Sequence, residues 1–257
     1  MKKFSVITIS YNAGEAVRKT VDSVLRQDLT DIEYLFIDGA STDNTKEIIV
    51  DCIEKLENRG ISVKFISEPD KGISDAFNKG ILCAEGEIIV ILNAADTMME
   101  GTLQKVQHEF DQGIDVLYGN VLFCDEKRNL NWIRKSQSEK ALGKLKYSMV
   151  LQHPATYIRK SAYKEYGLYD ISYRYCMDEE LLYRFFISGA KFKYMDYTCT
   201  CMQAGGVSDD QVWKVLKEGT RIPLMYGDHA IKVNIIVIFK FVRHQMAHLY
   251  RRLFRRR

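Results

Sequence analysis

The first half of the chain alternates short apolar runs with longer amphipathic segments. The short runs are rich in β-branched and aromatic residues and are bounded by polar residues or glycine, as buried strands are. They are Phe4–Ile9, Glu33–Asp38, Ile61–Ser67 and Ile88–Leu92. Between them, apolar residues recur every three or four positions, as Val17, Val21 and Val24 do, which predicts helices. This alternation predicts an α/β fold in which helices flank a mostly parallel, Rossmann-related sheet.

The pattern becomes less regular after Asp96. Gly101–Phe110 has the spacing of a helix, Asp115–Cys124 is predicted to be a strand, and Leu130–Arg134 is its expected hairpin partner. Ser136–Tyr147 is rich in lysine and has no clear period, so we expect an ordinary solvated loop there, with a mobile loop over the acceptor side as the alternative.

Polar side chains follow each of the first four predicted strands. They are Ser10, Tyr11, Asn12, Asp38, Glu68, Asp70, Asn93 and Asp96. The carboxyl ends of parallel strands meet at one edge of a sheet, so these residues are expected to form one pocket. At any single loop, helix capping explains an acid or serine equally well. Helix capping explains four such loops together less well, because clustered carboxylates repel one another unless a cation or hydrogen-bonding ligand is present.

Two common phosphate-binding motifs are missing from the sequence. No GxGxxG follows the first strand, and GxxxxGK[ST] occurs nowhere in the chain. Phosphates bound at this pocket would therefore need another partner, and a divalent metal on a carboxylate is the simplest one.

Composition adds an expectation about the compartment. The chain has 257 residues and an ordinary hydrophobic fraction of 46%. Its six cysteines are scattered without CxxC pairs, so we expect no disulfide framework and a reducing, cytoplasmic location. Cys199-x-Cys201 has the form of half a metal site, but no second Cys/His pair accompanies it. No signal peptide is evident, since the first apolar run ends at Ser10.

Charge is distributed unevenly along the chain. Residues 229–257 contain eight Lys or Arg and no acid, so the net charge of +3 leaves −5 for residues 1–228. One apolar face is predicted on this basic segment: Ile231, Ile235, Ile238, Val242, Met246, Leu249 and Leu253. We expect an amphipathic helix lying on an anionic membrane surface, since Lys232 and Lys240 leave no apolar stretch long enough to span one. Packing on the protein itself, or on a second subunit in a homo-oligomer, stays open. Nothing resembles a nucleic-acid-binding module.

Four segments together carry a resemblance to a known family. They are VITISYN at 6–12, IDGASTDNT at 37–45, SEPDKGISDAFNKGI at 67–81 and ILNAADT at 91–97. In this order and spacing the sequence resembles the family 2 glycosyltransferases of the GT-A fold, which move a sugar from a nucleoside diphosphate to a hydroxyl with inversion. The resemblance implies a GT-A-like domain over 1–228, with a nucleotide-binding half (1–98) and an acceptor half (99–228), followed by the helix at 229–257.

The resemblance assigns the donor site. Tyr11 and Asn12, with Ser10, would line the nucleotide pocket, and Asp38 would accept a hydrogen bond from the base, most often uracil. Asp70 and Asn78 would contact the nucleotide or the donor sugar.

The family's acidic motif, which usually reads Asn-Ser-Asp-Asp, is Asn93-Ala94-Ala95-Asp96 here. The resemblance makes Asp96 the ligand of a divalent metal, Mn²⁺ or Mg²⁺, and places Asn93 and Ala95 in the donor site. The chain departs from the motif at Ala95, where a carboxylate is lost. Two explanations stay open: a native residue in a weakened site, or a substitution engineered to inactivate the enzyme.

The resemblance also assigns the acceptor side. Asp178, Leu181 and Arg184 reproduce an Asp-x-x-Leu-x-x-Arg pattern whose acid is the general base, and Glu179 is the less favoured alternative. His153 would line the site. Gly205 and Gly206 would approach the donor diphosphate, although a plain turn explains them equally well.

The sequence therefore predicts a metal-dependent, inverting glycosyltransferase. Its donor would be a nucleotide sugar, with UDP the expected nucleotide, and its acceptor a glycan or lipid-linked saccharide. Sugar transfer at the cytoplasmic face of the membrane would be consistent with a role in surface-polysaccharide assembly. A non-catalytic nucleotide-sugar-binding protein is the alternative. A sugar-phosphate nucleotidyltransferase would need a basic, glycine-rich loop after the first strand, which Ser10–Gly14 does not supply.

Overall fold

The structure, a computed structural model, describes residues 3–29, 31–110, 113–125, 130–203 and 211–254, with side chains as far as 246. Its centre is a single nine-stranded sheet with helices packed against it. The α/β fold predicted from the sequence is confirmed.

The first half of the chain builds the parallel part of the sheet. The strands are β1 (Phe4–Ser10), β2 (Ile32–Asp38), β3 (Ser62–Ser67) and β4 (Ile88–Ile91). They lie in the order β3-β2-β1-β4, and all three pairings are parallel. The connecting helices are α1 (Gly14–Leu25), α2 (Thr45–Asn58) and α3 (Ile73–Cys83). The loops that follow β1 to β4 therefore share one edge.

The second half extends this sheet with mixed pairings. Its elements are β5 (Thr97–Met98), α4 (Thr102–Glu109), β6 (Val116–Asp125), β7 (Leu130–Arg134), β8 (Thr156–Arg159), α5 (Lys160–Tyr166), α6 (Met177–Ile187) and β9 (Phe192–Gln203). β8 runs antiparallel to both β4 and β6, and β9 runs parallel to β6. β7 pairs with β6 as the predicted hairpin partner.

Side chains on the two faces of the sheet enter two separate cores. Ile7 and Leu35 belong to the core beneath α3 and α6, whereas Val6 and Phe36 belong to the core beneath α1 and α2. Gly80 lets α3 approach β1 closely, because a Cβ there would lie 2.5 Å from Cγ2 of Ile7.

The expectation of a solvated loop at 136–147 is wrong. Residues Glu139–Lys146 form a 3₁₀ segment in which Ala141, Leu142 and Leu145 are buried, the two leucines in the core that includes α6. The lysines that dominate the composition stay largely at the surface, while three apolar side chains bury the segment.

The sequence predicted no disulfide framework, but the structure contains a disulfide among the described residues. Cys124 on β6 and Cys201 on β9 form a disulfide, and Cys52, Cys83, Cys176 and Cys199 are free. The parallel pairing of β6 with β9 sets Leu122 opposite Cys201, which brings Cys124 to the adjacent position on the same face. Sequence spacing cannot reveal this pairing, because the two cysteines meet only through the sheet. Cys201 is thereby unavailable as a metal ligand with Cys199.

The chain ends in three helices, α7 (Val212–Gly219), α8 (Arg221–Met225) and α9 (Ala230–Phe254). α9 is the helix predicted from the basic C-terminal segment. Within the part of the chain that the structure describes, no helix is both long enough and apolar enough to cross a bilayer.

Candidate active site

The end of β2 is a closed hydrogen-bonding centre built on Asp38. Its carboxylate accepts hydrogen bonds from the hydroxyls of Ser10 (3.1 Å), Ser41 (2.5 Å) and Ser67 (2.7 Å), and from the Ser41 backbone N–H (2.9 Å). Burial alone would raise the pKa of Asp38, but these hydrogen bonds outweigh it and hold the pKa below its usual value. Asp38 has no exposed surface, so this conformation favours a positioning role, and direct contact with a base stays a prediction.

Asn12 fixes the loop that follows Asp38. Its backbone has a positive φ of 49°, which asparagine tolerates better than most residues. Its side-chain oxygen accepts a hydrogen bond from the Thr42 backbone N–H at 2.9 Å, and its own N–H donates to the Ser41 hydroxyl at 2.9 Å. The two strand-end loops are thereby held together.

Tyr11, Gly39 and Asp70 form a small platform beside this centre, in which Tyr11 is exposed and the other two residues are half-buried. Tyr11 is 66% exposed, so its ring is available to a ligand. A Cβ on Gly39 would lie 2.5 Å from the Asp70 carboxylate and 3.5 Å from the Tyr11 ring, so only glycine lets the two side chains meet there. The sequence-predicted residues Tyr11 and Asp70 are thus brought together.

Asn78 mainly joins the two halves of the chain. Its amide donates to the Tyr169 carbonyl at 2.9 Å and accepts from the Tyr169 N–H at 3.0 Å. These two bonds use much of the side chain's hydrogen-bonding capacity. A donor that binds Asn78, as predicted, would therefore contact a side chain whose amide is already hydrogen-bonded to the Tyr169 backbone.

The loop after β4 carries Asp96 into a buried environment. Asp96 is 5% exposed, and burial raises its pKa to about 7, although a hydrogen bond from the Gln203 backbone lowers it in part. The side-chain oxygen of Asn93 is buried without a hydrogen-bond partner in the described structure. Ala95, between them, has a φ of 80°, an unfavourable value for a residue with a Cβ.

Three polar side chains, two on α1 and one just beyond its C-terminal end, hold this loop, and the sequence reasoning missed them. Thr20 donates to the Asp96 carbonyl (2.9 Å), the Ser23 hydroxyl accepts from the Met98 N–H (2.9 Å), and Gln27 donates to the Met99 carbonyl (3.0 Å). All three are buried. The available signal was their spacing, since polar residues three and four positions apart on the apolar face of a helix need partners in the core.

The register of β8 brings the acceptor half to the same edge. Val90 pairs with Tyr157 and Ile88 with Arg159 in antiparallel fashion, so residues 153–155, a 3₁₀ turn before β8, lie beside the end of β4. The pairing of Thr97 with Cys201, and a hydrogen bond from the Thr200 hydroxyl to the Pro154 carbonyl (2.7 Å), close the other side. His153 therefore lies next to the loop that carries Asp96.

Asp178 occupies the first turn of α6 and faces His153. Its Oδ1 lies 3.4 Å from Nε2 of His153 and has no hydrogen-bond partner within the described residues. The same imidazole nitrogen lies 2.8 Å from the Tyr169 hydroxyl, and the ring stacks on Phe77. Burial raises the pKa of Asp178, and His153 lowers it in part. Asp178 therefore retains a free acceptor atom with a fixed neighbour, which suits a group that takes up a proton.

Glu179 points away from this pair, toward α9. Burial raises its pKa to about 7, Lys240 on α9 lowers it, and Asp178 raises it further. Gly205 and Gly206 lie outside the described residues, as does the rest of the turn at 204–208.

The residues around Asp96 are compatible with a divalent metal whose coordination shell is completed by a bound substrate. The described residues hold no cluster of three or more His, Cys, Asp or Glu positioned for a metal. A single carboxylate with a neighbouring amide oxygen is nevertheless consistent with Mg²⁺ or Mn²⁺, which are commonly held by one or two carboxylates plus substrate phosphates. The unpartnered oxygen of Asn93 is chemically suited to such a site.

Residues 5–167, well over half of the chain, match the family described as Glycosyl transferase family 2. A PGL/p-HBAD biosynthesis glycosyltransferase of Mycobacterium bovis is 29% identical over 85% of this chain and 86% of its own length. A GalNAc(5)-diNAcBac-PP-undecaprenol beta-1,3-glucosyltransferase of Campylobacter jejuni is 28% identical over 49% of this chain, and the match spans 40% of that relative's length.

Two solved structures show the same fold at low sequence identity. TarS of S. aureus, in complex with UDP-GlcNAc, aligns with a TM-score of 0.64 at 18% identity, covering 91% of this chain and 70% of its own. The mannosyltransferase PcManGT of Pyrobaculum calidifontis, in complex with GDP-Man and Mn²⁺, aligns with a TM-score of 0.67 at 15% identity, covering 91% and 68%. The chain is therefore a glycosyltransferase of GT-A fold and belongs to family 2.

Proposed function

We propose that the protein transfers one sugar, with inversion, from a nucleoside-diphosphate sugar to a hydroxyl of a glycan or a lipid-linked saccharide. The observation that carries this proposal is the Asp178–His153 pair, positioned by β8 beside the Asp96 loop in a family 2 chain. A proton acceptor and an acid suited to a metal–diphosphate group thus lie at one edge of the sheet.

Asp178 is assigned as the general base. Its carboxylate takes the proton of the acceptor hydroxyl, the hydroxyl oxygen forms a bond to the anomeric carbon, and the bond from that carbon to the diphosphate oxygen breaks. The nucleoside diphosphate leaves with the electron pair. Attack opposite the leaving group inverts the anomeric centre. His153 and Tyr169 are positioning residues, because they fix the neighbourhood of the Asp178 carboxylate.

Asp96 and Asn93 are assigned to a divalent metal bound together with the donor diphosphate. When bound, such a metal stabilises the negative charge that develops on the leaving diphosphate. Tyr11 and Asp70 are assigned to the nucleotide, on the platform opened by Gly39. UDP is the proposed nucleotide. That the neighbour TarS was crystallised with UDP-GlcNAc supports it, and that PcManGT was crystallised with GDP-Man makes GDP the alternative to test.

The C-terminal segment is the basis on which we assign the acceptor and the cellular location of the protein. The predicted apolar face of α9 is exposed, with Ile231 at 77%, Ile235 at 62% and Met246 at 66%. Eight basic residues and no acid lie in residues 229–257. This combination fits a peripheral helix on the anionic inner face of the cell membrane. The undecaprenol-linked substrate in the name of the Campylobacter relative supports a lipid-linked acceptor and a role in surface-polysaccharide assembly.

Replacing Asp178 tests the proposed reaction. Asp178→Asn keeps the shape of the side chain and removes the base, so we expect the sugar-transfer rate to fall by about 10²–10⁴-fold with little change in nucleotide binding. Transfer is measured as nucleoside diphosphate released in the presence of acceptor and Mn²⁺, and binding as thermal stabilisation by UDP or GDP with Mn²⁺.

Two further variants give this experiment its controls. Glu165→Gln alters an exposed acid on α5 and is expected to leave the rate unchanged. Glu179→Gln tests the neighbouring acid. A larger loss from Glu179→Gln than from Asp178→Asn would transfer the assignment to Glu179, and a rate within a few-fold of the parent for both would refute a base on this turn.

A further inference from the structure

A cavity of about 610 Å³ lies between α9 and the body of the protein. Its lining comes from the start of α6, from α7 and α8, and from the inner side of α9. This volume is within the range of about 300–1,000 Å³ that small-molecule sites occupy. The donor-site residues described above line none of it, so the cavity is separate from the nucleotide platform.

The walls of the cavity are aliphatic. Val212, Val215 and Leu216 project from α7, and Val233 and Val237 face them from α9. No side chain of α7 is fully buried in the described structure. Its apolar face thus borders the cavity and leaves surface for an aliphatic chain to cover. Trp213, which follows the lining residue Val212 on α7, contacts Phe241 of α9 with ring centroids 5.1 Å apart.

Positive charge dominates the polar part of the lining. Lys240 and Arg243 contribute this charge, and Glu179 is the one acid among the described lining residues. Burial lowers the pKa of Lys240, Glu179 raises it and Arg243 lowers it further, so the two cations are close enough to repel. No acidic partner of Arg243 is found within the described part of the chain. An anion bound here would relieve that repulsion.

The cavity adjoins the proposed reaction centre through one turn of α6. Cys176 and Glu179 line the cavity, while Asp178, between them in sequence, faces His153. On the opposite side of α9, the exposed apolar face begins at Ile231. A ligand in the cavity would therefore have the membrane-facing helix on one side and the proposed base on the other.

We propose that this cavity binds the lipid phosphate portion of the acceptor. Its aliphatic chain lies between α7 and α9, and its phosphate lies against Lys240 and Arg243, so that the attached saccharide extends toward Asp178. The inference rests on the proposed function for its biological meaning and extends it by locating the acceptor's lipid. Free inorganic phosphate shares the anionic part of this chemistry and is separated from the lipid by the test.

Farnesyl phosphate, a short lipid phosphate, is the probe. In the full chain carrying Trp132→Phe, Trp213 is the only tryptophan, and its fluorescence reports on the cavity. We expect saturable binding of farnesyl phosphate that is at least about tenfold tighter than that of farnesol or inorganic phosphate. Binding of inorganic phosphate as tight as that of farnesyl phosphate would reduce the site to an adventitious anion site and overturn the proposal.

Two matched pairs of variants locate the bound probe. Val237→Phe fills the cavity and is expected to weaken farnesyl phosphate binding by at least about tenfold, whereas Ile235→Phe adds the same ring on the exposed face and should not. Arg243→Glu, at the exposed edge of the cavity, should weaken binding similarly, whereas Lys214→Glu on the exposed side of α7 should not. Equal binding by all four variants would place the probe elsewhere and refute the cavity site.

The measurement is independent of catalysis, because neither donor nor metal is present. Stabilisation by UDP and Mn²⁺ is recorded separately on the same variants. Loss of lipid binding with intact UDP binding supports the cavity assignment. Normal sugar transfer to a lipid-linked acceptor by Val237→Phe, with unchanged KM, would contradict the cavity while leaving the proposed reaction intact.

Discussion

Ala95 combines two unusual properties at one residue. Its φ of 80° is in the left-handed region, which costs a residue with a Cβ about 1 kcal/mol or more. It also occupies the position at which the family motif carries a carboxylate. Aspartate tolerates this backbone region better than alanine does. The local backbone is thus already suited to an acid.

We predict that Ala95→Asp raises the sugar-transfer rate. The added carboxylate would lie next to Asp96 and the metal proposed to bind there, and we expect at least about a tenfold gain, equivalent to ~1.4 kcal/mol of transition-state stabilisation. Initial rates at saturating donor and Mn²⁺ measure it. Ala95→Gly relieves the backbone without adding charge, so it should stabilise the fold slightly and leave the rate unchanged. Equal rates for Ala95→Asp and the parent would refute the prediction.

Asp96 should make the metal-free protein less stable at neutral pH than at acid pH. Its folded-state pKa of about 7 lies above the ordinary aspartate value, so the folded state holds the proton more tightly than the unfolded state. The corresponding stability is fully present below about pH 4 and is lost as pH rises through 7.

We therefore predict that Asp96→Asn stabilises the metal-free protein above pH 7, by at most about 4 kcal/mol, and has little effect below pH 4. Urea unfolding in EDTA across this pH range measures the difference. The same variant should lose the extra thermal stabilisation that Mn²⁺ adds to UDP binding. A stability difference that does not depend on pH would show that burial leaves the pKa of Asp96 unshifted.

At this scale the sequence motifs name candidate residues, but they do not predict the contacts that those residues make. Asp178 and His153 were each identified from separate motifs, but their 3.4 Å approach depends on the antiparallel register of β8 against β4. Asp38 was expected to face a ligand, whereas three serine hydroxyls and a backbone N–H surround it. Such partners converge from three strand ends, so no local pattern reveals them.

Among the elements, α9 has two apolar faces with different surroundings. Val233 is buried against the body, whereas Ile231, Ile235 and Ile238 on the predicted face are all more than half exposed. Packing on the protein's own core was the open alternative for this segment, and the predicted face does not pack there. An exposed apolar face of this kind is consistent with the proposed membrane contact, and a second subunit is the alternative cover.

We predict that charging the exposed face of α9 releases the protein from membranes. The double variant Ile235→Glu, Ile238→Glu should lower partitioning onto anionic vesicles by at least about tenfold, as measured by vesicle sedimentation. Val50→Glu, Leu82→Glu makes the same charge change on α2 and α3, at side chains 58% and 69% exposed, and should not. If the double α9 variant instead converts a dimer to a monomer in solution, with vesicle binding unchanged, this face is a subunit interface.

Element types were largely predictable, and the exceptions have one cause. The strands and helices of the first half agree with the sequence pattern because each strand is a continuous apolar run and each helix shows a helical spacing of apolar residues. The 3₁₀ segment at Glu139–Lys146 has too few apolar residues to show one, and tertiary burial of Leu142 and Leu145 determines it. β8 and the 3₁₀ turn that precedes it are likewise too short for the sequence to show a clear pattern.

For the whole molecule, the distribution of charge supports the proposed orientation of α9 toward a membrane. Residues 229–257 carry eight positive charges, whereas the remainder has a net charge of −5. Anionic lipid attracts the former and repels the latter, so the field should orient the molecule with α9 toward the membrane.

We predict that membrane binding depends strongly on salt. Binding to vesicles that contain anionic lipid should weaken progressively as the salt concentration rises from about 0.05 M to about 0.5 M, because the Debye length shortens over this range. Binding to vesicles of neutral lipid should be much weaker at every salt concentration. Equal affinity for neutral and anionic vesicles would show that the basic residues contribute nothing.

The hydrogen bonds from α1 to the loop after β4 have a consequence for selectivity. Thr20 and Ser23 on α1, with Gln27 just beyond the end of that helix, fix residues 96–99, and α1 is itself anchored in the core. Little conformational entropy is then left to lose in this loop when a donor arrives. Discrimination between one nucleotide sugar and another at Asp96 would accordingly be a matter of fit to a shape that exists before binding, and any induced fit would have to come from segments that α1 does not hold.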